Sequence, residues 1–124
     1  MKHIRNISRS FGAAFNGIRI AIREGTSFKI ITCFALIATV AMYTFSLSRT
    51  EKAIVWVMIF SVLVLELINT VVERMLDLLY PGYNKHVGII KDLMAGIVLV
   101  AALGSLIIAW LIFAPKLPFL KDIF

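Results

Sequence analysis

"AIVWVMIFSVLVLELINTVVERMLDLL", residues Ala53 to Leu79, decides the fold. Its first thirteen residues, Ala53 to Leu65, carry no charge, and then three acids, an amide and an arginine arrive within twelve residues. An apolar run of this length reads as a membrane-spanning helix, which needs roughly 20 mostly apolar residues. Glu66, Asn69, Glu73 and Asp77 are spaced 3, 4 and 4 apart. With Glu66 at 0°, an advance of about 100° per residue puts the others at about −60°, −20° and +20°. All four therefore share one stripe of a helix that is otherwise leucine, isoleucine, valine and methionine. An acid facing hydrocarbon costs on the order of 3 kcal/mol or more, so the stripe must face protein or water.

The rest of the chain repeats the apolar theme. Hydrophobic residues make up 60% of the 124 and charged residues 16%, against about 45–50% and about 25% in soluble domains. Ile30 to Ser48 holds no charge over 19 residues, and Leu93 to Pro115 none over 23. The chain is therefore predicted to be an all-α integral membrane domain with transmembrane helices over 28–48, 53–79 and 86–113. Arg49-Thr50-Glu51-Lys52 is expected to form a tight turn. Tyr80-Pro81-Gly82-Tyr83-Asn84 breaks the chain between the second and third spans, because proline and glycine together favour a turn. Pro115 and Pro118 end the last helix.

Residues 1–25 read as a different kind of helix. Ile4, Ile7, Phe11, Phe15, Ile18 and Ile22 fall in one narrow stripe, while Arg5, Arg9, Arg19 and Arg23 lie well off it. Such an amphipathic helix suits the membrane surface, with its apolar face in lipid. No continuous apolar core or small-residue cleavage site marks it as a signal peptide.

The net charge of +6 does not point to nucleic acid, because the basic residues flank apolar segments. That arrangement suits anionic lipid and topology signals. Lys2, Arg5, Arg9, Arg19, Arg23 and Lys29 precede the first span, and Arg74, Lys85 and Lys91 surround the second connection. Only Arg49, Lys52, Lys116 and Lys121 fall on the opposite side. Nine against four predicts a cytoplasmic N-terminus and a cytoplasmic 80–84 loop. The single cysteine, Cys33, excludes an internal disulfide and reads as lipid-facing or packed. No CxxC, HExxH or GxxxxGK[ST] pattern occurs.

Stacked carboxylates repel and ask for a cation, and Mg²⁺ prefers oxygen ligands. Across the short loop, Lys91-Asp92 can approach the Glu73–Asp77 end of the second span. Lysine and metal neutralise phosphate charge, and a carboxylate accepts a hydroxyl proton. From geometry alone, phosphoryl transfer, proton- or cation-coupled transport and structural pairing with another subunit all stay open. Ser61, Thr70 and Ser105 are expected to hydrogen-bond across helices, and Trp56 and Trp110 to anchor the outer ends of their helices.

Two motifs narrow the choice. "ELINTVVERMLD" (66–77 with Glu66 first) matches ExxNxxxExxxD of the small bacterial membrane kinases, the diacylglycerol kinase and undecaprenol kinase family. "KDLMAGIVLVAA" (91–102) resembles that family's KD-led signature and begins fourteen residues after Asp77. The resemblance covers nearly the whole chain. It implies a homotrimer with sites shared between subunits, using Mg-ATP to phosphorylate a lipid alcohol at the inner membrane of a bacterium. It further implies Glu66 as the general base, Asn69 as an organising amide, Glu73 as a metal ligand, and Lys91 and Asp92 at the nucleotide. Asp77 would take a nucleotide-side or structural role. The arginine that the family carries near its N-terminus has two candidates, Arg9 and Arg5. A second metal-binding glutamate normally stands three residues before an aromatic. In "REGTSFK" Glu24 stands four before Phe28, with Gly25 in the usual place. A glycine tolerates unusual backbone angles, so it is expected to break the helix and shift Glu24 into position. The ending "LIFAPKL" resembles the undecaprenol-preferring branch.

Overall fold

The computed structural model describes residues 2–119. Met1, the start of the expected surface helix, and Lys121, one of the outer basic residues, lie outside the described residues. Four helices follow in order: α1 Lys2–Glu24, α2 Thr26–Thr44, α3 Arg49–Leu79 and α4 Lys85–Phe113. A short 3₁₀ turn, Ala114–Lys116, carries Pro115. Three segments among the described residues are long and apolar enough to cross a membrane: Ser27–Thr44, Arg49–Leu79 and Lys85–Lys116.

The helix boundaries have local causes. α1 stops at a single residue, Gly25, and the hydrogen-bond ladder continues around it: Gly25 N–H donates to Ala21 O at 2.9 Å and Lys29 N–H to Gly25 O at 3.1 Å. The turn before α3 is formed by residues 45–48, and Arg49–Lys52 make the first turn of α3 rather than a connection. The reason is a capping box. Ser48 Oγ accepts from the Glu51 N–H at 3.2 Å, and Glu51 Oε1 accepts from the Ser48 N–H at 3.0 Å, so two otherwise unpaired donors are satisfied reciprocally. α3 ends where Tyr80 meets Pro81, and α4 starts at Asn84, whose Oδ1 accepts from the N–H groups of His86 and Val87. An asparagine at this position satisfies first-turn donors that have no partner within the helix.

Helix α3 is the centre of the arrangement. Both α2 and α4 pack closely on α3, and α1 approaches α2 and α3. The buried cluster Met42, Leu47, Val55, Ile59 and Ile112 joins α2, α3 and α4 at the end remote from the Tyr80–Asn84 connection. Phe45 and Phe113 meet edge to face there, with centroids 5.8 Å apart. Lys116 and Glu51 pair at 3.5 Å beside them. Between α2 and α4 lies an apolar cleft of about 390 Å³, floored by Ile59 and Val62 of α3.

The hydroxyls do not bridge helices. Ser61, Thr70 and Ser105 each donate to the carbonyl four residues earlier, on Val57, Glu66 and Ala101. Bonding back to its own helix satisfies the hydroxyl without a partner helix.

Candidate active site

The thirty-one residues of α3 extend over ~46 Å at ~1.5 Å per residue, against ~30 Å of bilayer hydrocarbon. The polar stripe lies in the half of this helix next to the Tyr80–Asn84 connection. Seven residues separate Glu66 from Glu73 and eleven separate it from Asp77, so the stripe rises ~10 Å and then ~16 Å along the axis. Exposure follows the same direction. Glu66 is 3% exposed, Asn69 half-buried, and Glu73 and Asp77 exposed. A carboxylate shut away from solvent thus stands at the deep end, and carboxylates open to solvent stand at the connection. The side-chain Oδ1 of Asn69 is buried and has no hydrogen-bond partner among the described residues. Buried polar atoms are normally paired, so this one is available to a ligand.

The start of α4 joins the shallow end of the stripe. Lys91 Nζ donates to Asp77 Oδ1 at 2.7 Å. Asp92, next in sequence and exposed, makes no ion pair among the described residues.

Glu24 reaches α3 from the end of α1. It ends α1, and Arg74 Nη1 donates to its Oε2 at 2.6 Å. The helix breaks at Gly25 as expected, but not through unusual angles. Gly25 has φ −91° and ψ 105°, which any residue adopts. Space is the physical reason for glycine here. A Cβ at this position would lie 2.8 Å from Ala21 O and 3.2 Å from Phe28 Cβ, and 3.7 Å from Thr70 Oγ1 of α3. Arg9 and Arg5 are exposed on α1 and form no ion pair with the α3 carboxylates among the described residues.

The structure therefore brings Glu66, Asn69, Glu73, Asp77 and Lys91 onto one edge of α3, with Glu24 tied beside it. Among the described residues Arg9 and Asp92 form no ion pair with that group. In the sequence Arg74 reads as a topology charge. The signal for it was its place next to Glu73 in an otherwise apolar helix.

The donor set suits a hard cation carried with phosphate. No three His, Cys, Asp or Glu side chains converge among the described residues. Mg²⁺ commonly takes one or two carboxylates and completes its shell with water and substrate phosphates. Glu73, Glu24 and the unpartnered Asn69 oxygen fit that manner of binding.

The profile of the prokaryotic diacylglycerol kinase family matches residues 12–113. The chain is 34% identical over 109 residues to the undecaprenol kinase of Bacillus subtilis, spanning 88% of this chain and 89% of that protein. It is 30% identical over 113 residues to the diacylglycerol kinase of a Synechocystis species, spanning 90% of this chain and 65% of that protein.

Proposed function

The chain belongs to the prokaryotic diacylglycerol kinase family and is a lipid kinase, and on that premise we propose that it transfers the γ-phosphoryl group of Mg-ATP to a lipid alcohol at the cytoplasmic membrane surface. The observation that carries the reading is the Lys91–Asp77 bond, which sets the KD motif of α4 on the stripe of α3 that buries Glu66. The order along that stripe suits an extended nucleotide. Lys91 and Asp77 stand at the solvent end with Asp92 beside them, Glu73 lies between, and Glu66 stands deepest.

In this reading Glu66 accepts the proton of the lipid hydroxyl as its oxygen attacks the γ-phosphorus. The bond between that phosphorus and the β,γ-bridging oxygen breaks, and ADP leaves. Because Glu66 is nearly closed to solvent, water is a poor competitor for the phosphoryl group. Glu73 and Glu24 hold the metal, and Asn69 orients the phosphates or their cation. When bound, Mg²⁺ neutralises the phosphate oxygens and polarises the transferred group. Lys91 contributes fixed positive charge at the nucleotide, and Arg9 or Arg5 of α1 completes that end.

The bacterial inner membrane is the proposed location, with α1 on its cytoplasmic face and the apolar row from Ile4 to Ile22 in lipid. Those six residues are all exposed in the single chain, and the nine-to-four basic asymmetry supports the orientation. The proposed assembly is a homotrimer. An apolar cleft lies open between α2 and α4, and Ala95, Gly96, Ala101, Ala102 and Gly104 permit close helix approach. Crosslinking in mild detergent tests it, and a fully active monomer without a trimer band overturns the shared site. Undecaprenol is the proposed acceptor, with diacylglycerol second. The "LIFAPKL" ending and the fuller coverage of the relative named undecaprenol kinase support that order.

The test is incubation of the purified protein with labelled ATP and both alcohols in mixed micelles. Labelled lipid phosphate is expected, mostly on undecaprenol. Preference for diacylglycerol reverses the substrate order, and no lipid phosphate in either case overturns the reading.

A further inference from the structure

Arg74 takes no part in the chemistry above, yet it makes the longest-range ion pair near the site. With Glu66 at 0°, Thr70 falls at about +40° and Arg74 at about +80°. They stand one turn apart on the flank of the polar stripe. Both meet the junction of α1 and α2: Thr70 Oγ1 comes near Gly25, and Arg74 Nη1 donates to Glu24 Oε2 across fifty positions of sequence. Glu24 is the last residue of α1. A carboxylate there faces the negative end of the helix dipole and is unfavourably placed unless a cation answers it. Arg74 supplies that cation. Only Oε2 is engaged, so Oε1 of Glu24 stays without a hydrogen bond among the described residues.

We propose that Arg74 is a positioning residue: it holds Glu24 at the flank of the α3 stripe so that a divalent cation bound through Glu73 gains a second carboxylate. This rests on the reading of Glu73 and Glu24 as the metal ligands. It accounts for the extra residue between Glu24 and Phe28. A glutamate one place out of the usual register is brought back to α3 by a side chain of α3 itself.

Mn²⁺, which shares the oxygen preference of Mg²⁺, is the probe. Its binding to the purified protein in detergent is followed by the loss of the free-ion paramagnetic resonance signal, without turnover. Arg74→Ala is expected to weaken Mn²⁺ binding about 10-fold or more, as removal of a residue that orients a ligand does. Arg74→Lys should recover part of the loss, since it keeps the charge without the planar fork. Glu24→Gln should weaken binding similarly, and the double variant should add nothing further. Thermal unfolding of each variant separates a merely tethering contact, which would shift stability and leave the titration alone. Unchanged or tighter Mn²⁺ binding in Arg74→Ala, or additive losses in the double variant, overturns the proposal. Glu73→Gln run alongside distinguishes the two readings. Weakened binding there with wild-type binding in Arg74→Ala defeats the positioning role alone, whereas unchanged binding in Glu73→Gln defeats both.

Discussion

The ammonium of Lys91 donates to the carboxylate of Asp77 at 2.7 Å, fourteen residues back along the chain and across the Tyr80–Asn84 connection. The pair is open to solvent, so it adds little to stability. Its consequence is placement. Asn84 caps α4, and the turns of helix that follow bring Lys91 opposite the last acid of the stripe.

Lys91→Ala should raise the KM for ATP about 10–100-fold, matching the ~1.5–3 kcal/mol of a hydrogen bond to a charged group. Asp77→Asn should have a smaller effect, because it removes the holder and keeps the cation. Initial rates across an ATP series separate KM from kcat, and an unaltered KM in Lys91→Ala removes it from the nucleotide.

Glu66→Gln should lower turnover by about 10²–10⁴-fold, the usual loss when a general base is removed. Glutamine keeps the size of the buried side chain and its hydrogen-bonding capacity, so the helical content and the assembly state should not change. Near-normal turnover in a folded variant takes Glu66 out of the role.

Glu73→Gln should move the Mg²⁺ dependence of activity to higher concentration, with saturating metal restoring part of the rate. Glutamine retains one oxygen donor and loses the charge that a hard cation favours. If the Mg²⁺ titration superimposes on that of the wild type, Glu73 pairs structurally and binds no metal.

Gly25→Ala should lower stability by about 1–3 kcal/mol, the usual range for forcing atoms into occupied space. The added methyl meets the Ala21 carbonyl, which is backbone and cannot swing aside. Thermal unfolding in detergent measures the loss. A variant as stable as the wild type means that the junction relaxes freely.

The periodicity of Glu66, Asn69, Glu73 and Asp77 and the breaks at Gly25 and Tyr80–Asn84 were all legible in the sequence. Each depends on the regular turn of a helix or on local residue chemistry. The start of α3 was legible too and was misplaced: Ser48 three residues before Glu51, ahead of an apolar run, is a capping-box signature. The same locality explains why Ser61, Thr70 and Ser105 bond within their own helices. A carbonyl one turn back is always in reach, whereas a partner helix is not.

Sequence by itself determined the apolar helices, the one-sided stripe on α3 and the likeness that points to a lipid kinase. Only the tertiary structure decided that the stripe is graded, with Glu66 buried while Glu73 and Asp77 stay open. It alone paired Glu24 with Arg74 and showed that Gly25 is needed for its lack of a side chain rather than for its backbone angles. The physical reason is range. Helical period and capping are set by residues within about one turn of each other. Burial and ion pairing across fifty positions depend on how α1, α2 and α4 lie against α3, and that packing is not written in any one segment.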